Sequence, residues 1–569
     1  MPAVPVQTWR LHHRYGRIVR STFQHLVRVA GNRALVRVLV SYAIFVVTQY
    51  ARWIGILVFA YGNGGVTAAG LVSLAQLVPA AMAAPFFATV ADRRSPTVLL
   101  AGGYVLQGLG SAVVAVAILV DASPYVVYAG AVLASTAVTT TRPAQAALVP
   151  GLARDLPELT ATNVLVGWVE SISIVLAGTG GGLLMAWNGV APVAAAATVL
   201  LVVAVLLVAV LPAVPMREGD GASAFRQVAG GIAAVRTNKS AGVLVSVLAM
   251  EFMFIGALDV LLVVLAIDVL GHGEGWAGYL NSAYGAGGVV VGAFASLIIG
   301  RRLGPVVVVT GLLLGLAFAA TTLVAGEVPV MVLLAIVGAS RALFDVASRS
   351  LLQRAVSADM VARIFGLTEG LSMAGLAAGS LLVPLLTAVG GGRLALLAVA
   401  AILPLVVMLR LRLLLRLDEQ AQVPVVETSL LRSTPVFNGL PAPALEGVAR
   451  ALQRVDAAPG SVIISQGDEA TQHYFVVADG VVEIQQDGRS IRELRRGSGL
   501  GEIALLHGGP RTASALALTP VTLYALDRES FLISLQGHAA SWSAARVVAD
   551  EYLSSDVNRS EQPPNSERD

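Results

Sequence analysis

The sequence predicts an all-α polytopic membrane protein of twelve transmembrane helices in two six-helix halves, followed on the cytoplasmic side by a compact antiparallel β structure with flanking helices. Three observations predict it. The 569 residues are 56% hydrophobic and only 13% charged, and the mean hydropathy of +0.77 lies beyond a soluble globular average. Up to about residue 410 the chain is a series of apolar stretches, each of the roughly 20 residues a helix needs to cross a bilayer. After residue 430 charges return every few positions and acidic residues outnumber arginines. The net charge of +3 therefore hides a basic membrane part and an acidic tail.

Cysteine is absent, which excludes disulfides. Lysine occurs once, at Lys239, a bias of composition rather than of mechanism. Residues 1–36 are rich in Arg and His and lack a signal-peptide apolar core. They are expected to lie as a basic, partly amphipathic segment on the inner membrane surface.

Apolar spans are expected near 37–61, 66–90, 97–120, 124–141, 162–187, 190–212, 241–269, 276–300, 305–325, 328–346, 364–388 and 393–413. Their connections alternate in charge. One set carries Arg93 and Arg94, Arg142 and Arg154, the 213–240 loop, Arg301 and Arg302, and Arg349, Arg354 and Arg363. The other set is short and almost free of arginine: "YGNGG", "DASP", "WNG", "GHGEG", "AGEVP" and "VGGGR". Arginine marks the cytoplasmic side, so both termini and the central loop are expected inside.

A polar central loop that splits the spans six and six suggests two repeats. "TRPAQAALVPGLARDLPELTATNVLVGW" (141–168) aligns with "FDVASRSLLQRAVSADMVARIFGLTEGL" (344–371) at a constant offset, with Ala144 on Ala347, Leu148 on Leu351 and Gly167 on Gly370. Parallel repeats about an axis along the membrane normal build one class of transporter.

After the second span, "ATVADRRSPTVLL" (88–100) resembles the inner-loop signature of the major facilitator superfamily. Asp92 and Arg93 stand where the signature wants them, Ala88 and Ser95 replace its glycines, and its final basic pair is missing. The resemblance implies a cytoplasmic latch in which Asp92 and Arg93 pair at a helix end and hold neighbouring helices. "LAGTGGGLLM" (176–185) is similar to the glycine-rich stretch of facilitator antiporters at Gly181 and Gly182 only. Close helix packing is the expected use of those glycines.

Ionisable side chains inside apolar spans are costly and mark functional candidates. They are Arg52, Glu170, Glu251, Asp259, Asp345 and Glu369. In the superfamily the first and seventh helices line a central cavity, which implies that Arg52 meets Glu251 or Asp259 across it. Such a pair would bind a polar substrate or exchange protons. Glu170, Asp345 and Glu369 fall near inner helix ends and are expected to reach cytoplasmic water. No metal-ligand cluster, aromatic cage or sugar-binding set stands out.

In the tail, "LLRSTPVFNGLPAPALEGVARALQRV" (430–455) reads as helical, and 460–499 breaks into short Val/Ile-rich strands divided by Gly-Asp, Asp-Gly and Gly-Ser-Gly turns. "RTASALALTPVTLYALDRESF" adds two strands, and 528–553 returns to helix. The glycine spacing, through Gly460, Gln466-Gly467-Asp468, Tyr474-Phe475, Gly480 and Gly501-Glu502 to Arg511, resembles the cyclic nucleotide-binding domain, a β-roll flanked by helices. "GEIALLHGGPRTASA" (501–515) then corresponds to that family's phosphate-binding cassette. The resemblance implies a site of Gly501, Glu502, Ile503, Arg511, Thr512 and Ala513. Glu502 would accept from the ribose hydroxyl, and a short helix from 502 would point its first N–H groups at the ligand. Arg511 would pair bidentately with the cyclic phosphate, and Ala513 would let the backbone approach it. Ile503 and Leu505 are also expected in the core. Ser498 and Leu500 depart from the family's Asp and Phe, outside its ligand contacts. Thr512 occupies a position that is threonine in some members preferring cGMP and in some that bind cAMP. In the same family the helix after the roll is repositioned over the cassette, where Trp542 or Tyr552 would stack on the base; packing in the core is the first expectation for each.

The expected domains are a basic segment 1–36, a transporter half 37–212, a central loop 213–240, a second half 241–413, a linker 414–430, the nucleotide-binding domain 431–553 and a disordered tail 554–569. No catalytic set appears, so an enzyme is not expected. The reading is a secondary transporter, in the exporter direction, regulated by cAMP or cGMP, multi-pass in a bacterial inner membrane with both termini cytoplasmic. Its expected partners are the bilayer, the cyclic nucleotide and a small-molecule substrate with proton coupling as an option; nucleic acid and any cofactor or metal are not expected. The rival readings are a non-transporting membrane-anchored nucleotide sensor and an exporter with a vestigial tail.

Overall fold

The computed structural model describes residues 29–536, apart from 92–93, 155, 212–231, 234, 237, 295–301, 357, 421–424, 438–439, 441, 469–471 and 508. The chain divides into two compact units that part between Ala421 and Gln422.

The first unit is helical. Its helices are α1 (Arg33–Ala91), α2 (Pro96–Leu119), α3 (Pro124–Leu152), α4 (Leu156–Asn188), α5 (Ala191–Ala209), α6 (Lys239–Val264, extended by a π-turn over Leu265–Val269), α7 (Gly275–Phe294), α8 (Gly304–Ala320), α9 (Glu327–Ala355) and α10 (Ala358–Gln420). Among the described residues seven helices are long and apolar enough to cross a membrane. Two of them, α1 and α10, are double-length and break at Gly64-Gly65 and Gly390-Gly391. Proline opens α2, α3, α5 and α8 within the first two positions, where a missing N–H costs nothing.

Among the described residues of this unit, those with positive φ are Gly65, Asp121, Gly189, Gly271, Gly326 and Gly391. One falls in each of the six arginine-poor connections. A left-handed residue ends a helix and reverses the chain within a few positions, which glycine does without a Cβ penalty. The polar connections thus divide into two chemical kinds, tight left-handed turns and arginine-bearing segments.

Helices α1–α5 and α6–α10 meet through small residues. A Cβ on Gly278 of α7 would stand 2.7 Å from Gly182 Cα of α4, and one on Gly182 would stand 2.7 Å from the Gly275 carbonyl. Beside them Thr179 Oγ1 and Ser282 Oγ are 2.9 Å apart, and Ser282 Oγ donates to the Val175 carbonyl at 2.9 Å. Ser73 and Ser380 join α1 to α10 at 2.8 Å. Trp53 Nε1 of α1 donates to Asp259 Oδ2 of α6 at 3.0 Å. These contacts lie no more than about four helical turns from the left-handed turns, so the two sets of helices touch toward that end of the bundle.

The second unit starts with α11 (Val425–Ser433), a 3₁₀ turn (Pro435–Phe437) and α12 (Ala442–Ala451). The stretch expected as linker, 414–430, is instead helical over 414–420 and 425–430. Leu414 and Leu417 are buried, and Leu430 sits in the tail core. The helix expected to reach 455 stops at Ala451, because Gln453–Ala457 pairs as a strand with Val521–Asp527; sheet pairing overrides local pattern there.

Strands β1 (Gln453–Ala457), β2 (Val462–Ile464), β3 (His473–Asp479), β4 (Val482–Gln486), β5 (Arg489–Leu494), β6 (Gly499–Leu500), β7 (Ser514–Ala517) and β8 (Val521–Asp527) form two antiparallel sheets, ordered β1-β8-β3-β6 and β2-β7-β4-β5. Period-2 alternation on β3 sends Phe475 and Val477 between the sheets, and Tyr474 and Val476 against the helices. There Tyr474 stacks on Phe531 of α14 (Arg528–Gln536) at 4.8 Å and meets Phe437 edge-on at 5.5 Å. This layer fixes the helical side of the roll. The short helix α13 (Glu502–His507) bridges β6 and β7.

Candidate functional site

The tail cradle is built where β6 gives way to α13. Gly501 has φ +93°, and a Cβ there would stand 2.7 Å from Arg511 Nη1. Only glycine combines that conformation with that approach. Glu502 opens α13 and is buried. Arg511 is buried too, at 4% exposure. Its Nη1 donates to the Gly501 carbonyl at 2.8 Å and its Nη2 to the His473 carbonyl at 2.7 Å. Its backbone is clamped to the Gly467-Asp468 turn: Gly467 N donates to Arg511 O at 2.8 Å, and Arg511 N to Asp468 O at 3.0 Å. Burial lowers the Arg511 pKa, against the opposing pull of Asp468 and Glu502. A guanidinium does not deprotonate in proteins, so a positive charge stands fixed at the rim.

Gly501, Glu502, Ile503, Arg511, Thr512 and Ala513 line one cavity that is open to solvent. Its floor is apolar, with Ile464, Ile484 and Leu500. The structure therefore brings all six sequence-selected residues to one place. Ile503 belongs to the cavity wall rather than to the core expected for it, while Leu505 is a core residue. Sequence reasoning missed Arg492, which reaches the same cavity from β5. The Asp487-Gly488 hairpin, with both residues at positive φ, was the available signal, since it sets which β5 residues share a face. Two arginines, a carboxylate and an apolar floor suit a small ligand carrying an anionic group, a hydroxyl and a flat apolar part. Trp542 and Tyr552 lie outside the described residues.

The interior of the bundle holds the other candidates. Arg52 does not pair with Glu251 or Asp259. Its Nη1 donates to Ser111 Oγ of α2 at 3.1 Å, and the neighbouring Trp53 reaches Asp259 instead. Successive helix positions diverge by about 100°, so Arg52 and Trp53 face different helices. Glu251 is fully buried and accepts from Arg341 Nε at 3.1 Å, an arginine inside the span expected over 328–346 that the sequence reading passed over. Glu170 and Asp345 are ion-paired rather than merely water-facing. Arg142 Nη1 donates to Glu170 at 2.7 Å, and Arg349 Nε to Asp345 at 2.7 Å. Glu369 is exposed. Asp92 and Arg93 lie outside the described residues.

Two family models match the chain, Major Facilitator Superfamily over residues 38–329 and Cyclic nucleotide-binding domain over 454–538. Curated relatives match through the tail. The cAMP-dependent protein kinase regulatory subunit of Yarrowia lipolytica is 36% identical over 96 residues, 17% of this chain and 25% of that protein. Its Candida albicans counterpart is 36% identical over 101 residues, 18% of this chain and 22% of that protein. The chain thus spans about a quarter of the length of these relatives. Among solved structures, the Thermus thermophilus Catabolite Activator Protein is 30% identical, covering 22% of this chain and 62% of that one at a TM-score of 0.20. Both matched domains are non-catalytic kinds, and with its apolar helices the chain is a multi-pass membrane protein. It belongs to the major facilitator superfamily and carries a cyclic nucleotide-binding domain in its C-terminal part.

Proposed function

We propose that this protein is a secondary active exporter of a small molecule, gated by a cyclic nucleotide bound in its tail. The observation that carries the reading is the buried Arg511, fixed beside Gly501 and Glu502 on the wall of a solvent-open cavity. In this reading the cyclic phosphate takes the Arg511 guanidinium, Glu502 accepts from the ribose 2′-hydroxyl, Thr512 and Ala513 pass close to the phosphate, and the base lies on the apolar floor. The curated relatives are cAMP-dependent by name, which makes cAMP the first ligand to test and cGMP the second.

The membrane part is read as twelve spans, with the breaks at Gly64-Gly65 and Gly390-Gly391 as outer turns, and both termini in the cytoplasm of a bacterial cell. The domain limits follow the sequence reading, with the tail starting near residue 425 rather than 431. Asp92 and Arg93 keep the latch role as a proposal. Asp259 and Glu251 are the candidates for proton coupling, since each is a carboxylate held inside the bundle by a donor on another helix. Carboxylates buried in this way support transport over a non-transporting sensor, since ionisable groups inside a membrane bundle mark substrate and proton pathways.

The test is titration of cAMP and cGMP into the full-length protein in nanodiscs. Binding of at least one is expected, and Arg511→Ala should weaken it by about 2–3 kcal/mol, the loss of a charge-assisted pair. Absence of heat with both nucleotides would remove the regulatory half of the proposal.

A further inference from the structure

The charges inside the bundle are not treated alike. Arg142, Arg341 and Arg349 each hold a carboxylate, Glu170, Glu251 and Asp345. Arg52 is more deeply buried than any of these three arginines, at 3% exposure. Its side-chain hydrogen bond among the described residues is the one from Nη1 to Ser111 Oγ, a neutral hydroxyl, and no carboxylate there pairs with it. The Ser111 hydroxyl spends its own proton on the Gln107 carbonyl at 2.8 Å. Gln107 in turn donates through Nε2 to Thr141 Oγ1 at 2.9 Å, while its Oε1 is buried with no hydrogen-bond partner. A guanidinium has five donors, so this corner of α1, α2 and α3 has donors in excess, one idle acceptor and an uncompensated positive charge.

Holding such a charge away from water costs several kcal/mol unless a counter-charge is supplied. An intramembrane arginine kept at that cost points to a ligand that supplies it. The position suits a transported molecule. One residue along α1, Trp53 bonds Asp259 of α6, so Arg52 lies beside a contact that must break for the two sets of helices to part at that point.

We propose that Arg52 binds the anionic group of the transported substrate, which is therefore an organic anion carrying a carboxylate or phosphate. Ser111 orients the guanidinium, and the idle Gln107 oxygen is available to a donor on the same molecule. The proposal rests on the transporter reading and adds the substrate class to it.

The test is thermal unfolding of the full-length protein in nanodiscs with three anions, benzoate, succinate and glycerol 3-phosphate, each against its neutral counterpart, benzamide, succinamide and glycerol. Chloride sets a constant ionic strength, and a chloride titration forms a separate arm. At least one anion is expected to raise Tm by about 2 °C or more above its neutral counterpart, the size given by mass action when ligand exceeds Kd many-fold. Arg52→Gln should abolish that rise without lowering the Tm of the ligand-free protein, since it removes a charge that no carboxylate among the described residues pairs with, and the amide can still donate to Ser111. Ser111→Ala, a milder change, should shrink the rise while the fold persists. The proposal is overturned if no anion exceeds its neutral counterpart, if chloride alone reproduces the rise, or if the rise survives in Arg52→Gln. It is also overturned if Arg52→Gln lowers the ligand-free Tm, which would give Arg52 a structural partner. Nucleotide titration on the same preparation separates the two layers. Nucleotide binding without an anion effect removes the substrate class and leaves the regulated transporter standing.

Discussion

The residues that carry this account are few, and their environments differ sharply. Arg511 is held by two backbone carbonyls on the wall of a cavity with an apolar floor, where replacing it loses a ligand contact and leaves those carbonyls without their donor. Glu251 and Asp259 are held by one donor each, Arg341 and Trp53, inside a bundle where the cost of charge is high. Asp259→Asn and Glu251→Gln keep shape and remove the charge. Both variants should insert and express normally, and at least one should lose transport by an order of magnitude or more, measured as substrate efflux from everted vesicles once a substrate is in hand. Wild-type efflux in both would make the two carboxylates structural. At this scale the sequence was informative where chemistry is local. All six cassette residues sit within one short stretch and meet at one cavity. It was uninformative about partners distant in the chain. Nothing in the sequence says that Trp53 rather than Arg52 faces Asp259, because that depends on how α1 is rotated against α6. The pairing of Arg341 with Glu251 was hidden for a like reason, since it depends on how α9 is rotated against α6.

At the scale of elements, close approach of helices is written in small residues, and the structure shows which glycines matter. A Cβ on Gly278 would stand 2.7 Å from the backbone of α4, whereas one on Gly288, on the same helix, meets nothing within 4 Å. Gly278→Ala should therefore destabilise the bundle by about 1–3 kcal/mol as an overpacked contact. Gly288→Ala should be neutral or slightly stabilising through helix propensity. Comparing the melting temperatures of the two purified variants checks this, and equal values would mean that α4 and α7 do not pack as described. The six left-handed turns were legible as glycine-rich or aspartate-led connections without arginine, since a chain that must reverse in a few residues selects such residues. The tail strands were legible for a related reason, the glycine turns that bound them. The boundary between the parts was less so. A leucine-rich stretch such as 411–417 extends a helix as readily as it ends one, and only the burial of Leu414, Leu417 and Leu430 shows where packing resumes.

For the whole molecule the question is whether a nucleotide at residues 501–513 alters the arrangement of helices that Trp53, Ser73 and Ser282 now tie together. A ligand shifts a conformational equilibrium only through its different affinity for the two states. The effect is reciprocal, so a transported substrate must change nucleotide affinity by the same factor. The chain has no cysteine, so paired spin labels can be placed without background. Labels attached through Ala147→Cys on α3 and Gln353→Cys on α9, near the helix ends remote from the left-handed turns, report the separation of the two sets of helices. The decisive measurement is the electron–electron distance distribution between those labels in nanodiscs, with and without saturating cAMP and cGMP. The account predicts that the nucleotide that binds redistributes population between a short and a long separation, and that Arg511→Ala removes the response. A distribution unchanged by a nucleotide whose binding is independently measured would contradict it, leaving a receptor and a transporter that share a chain without sharing a state.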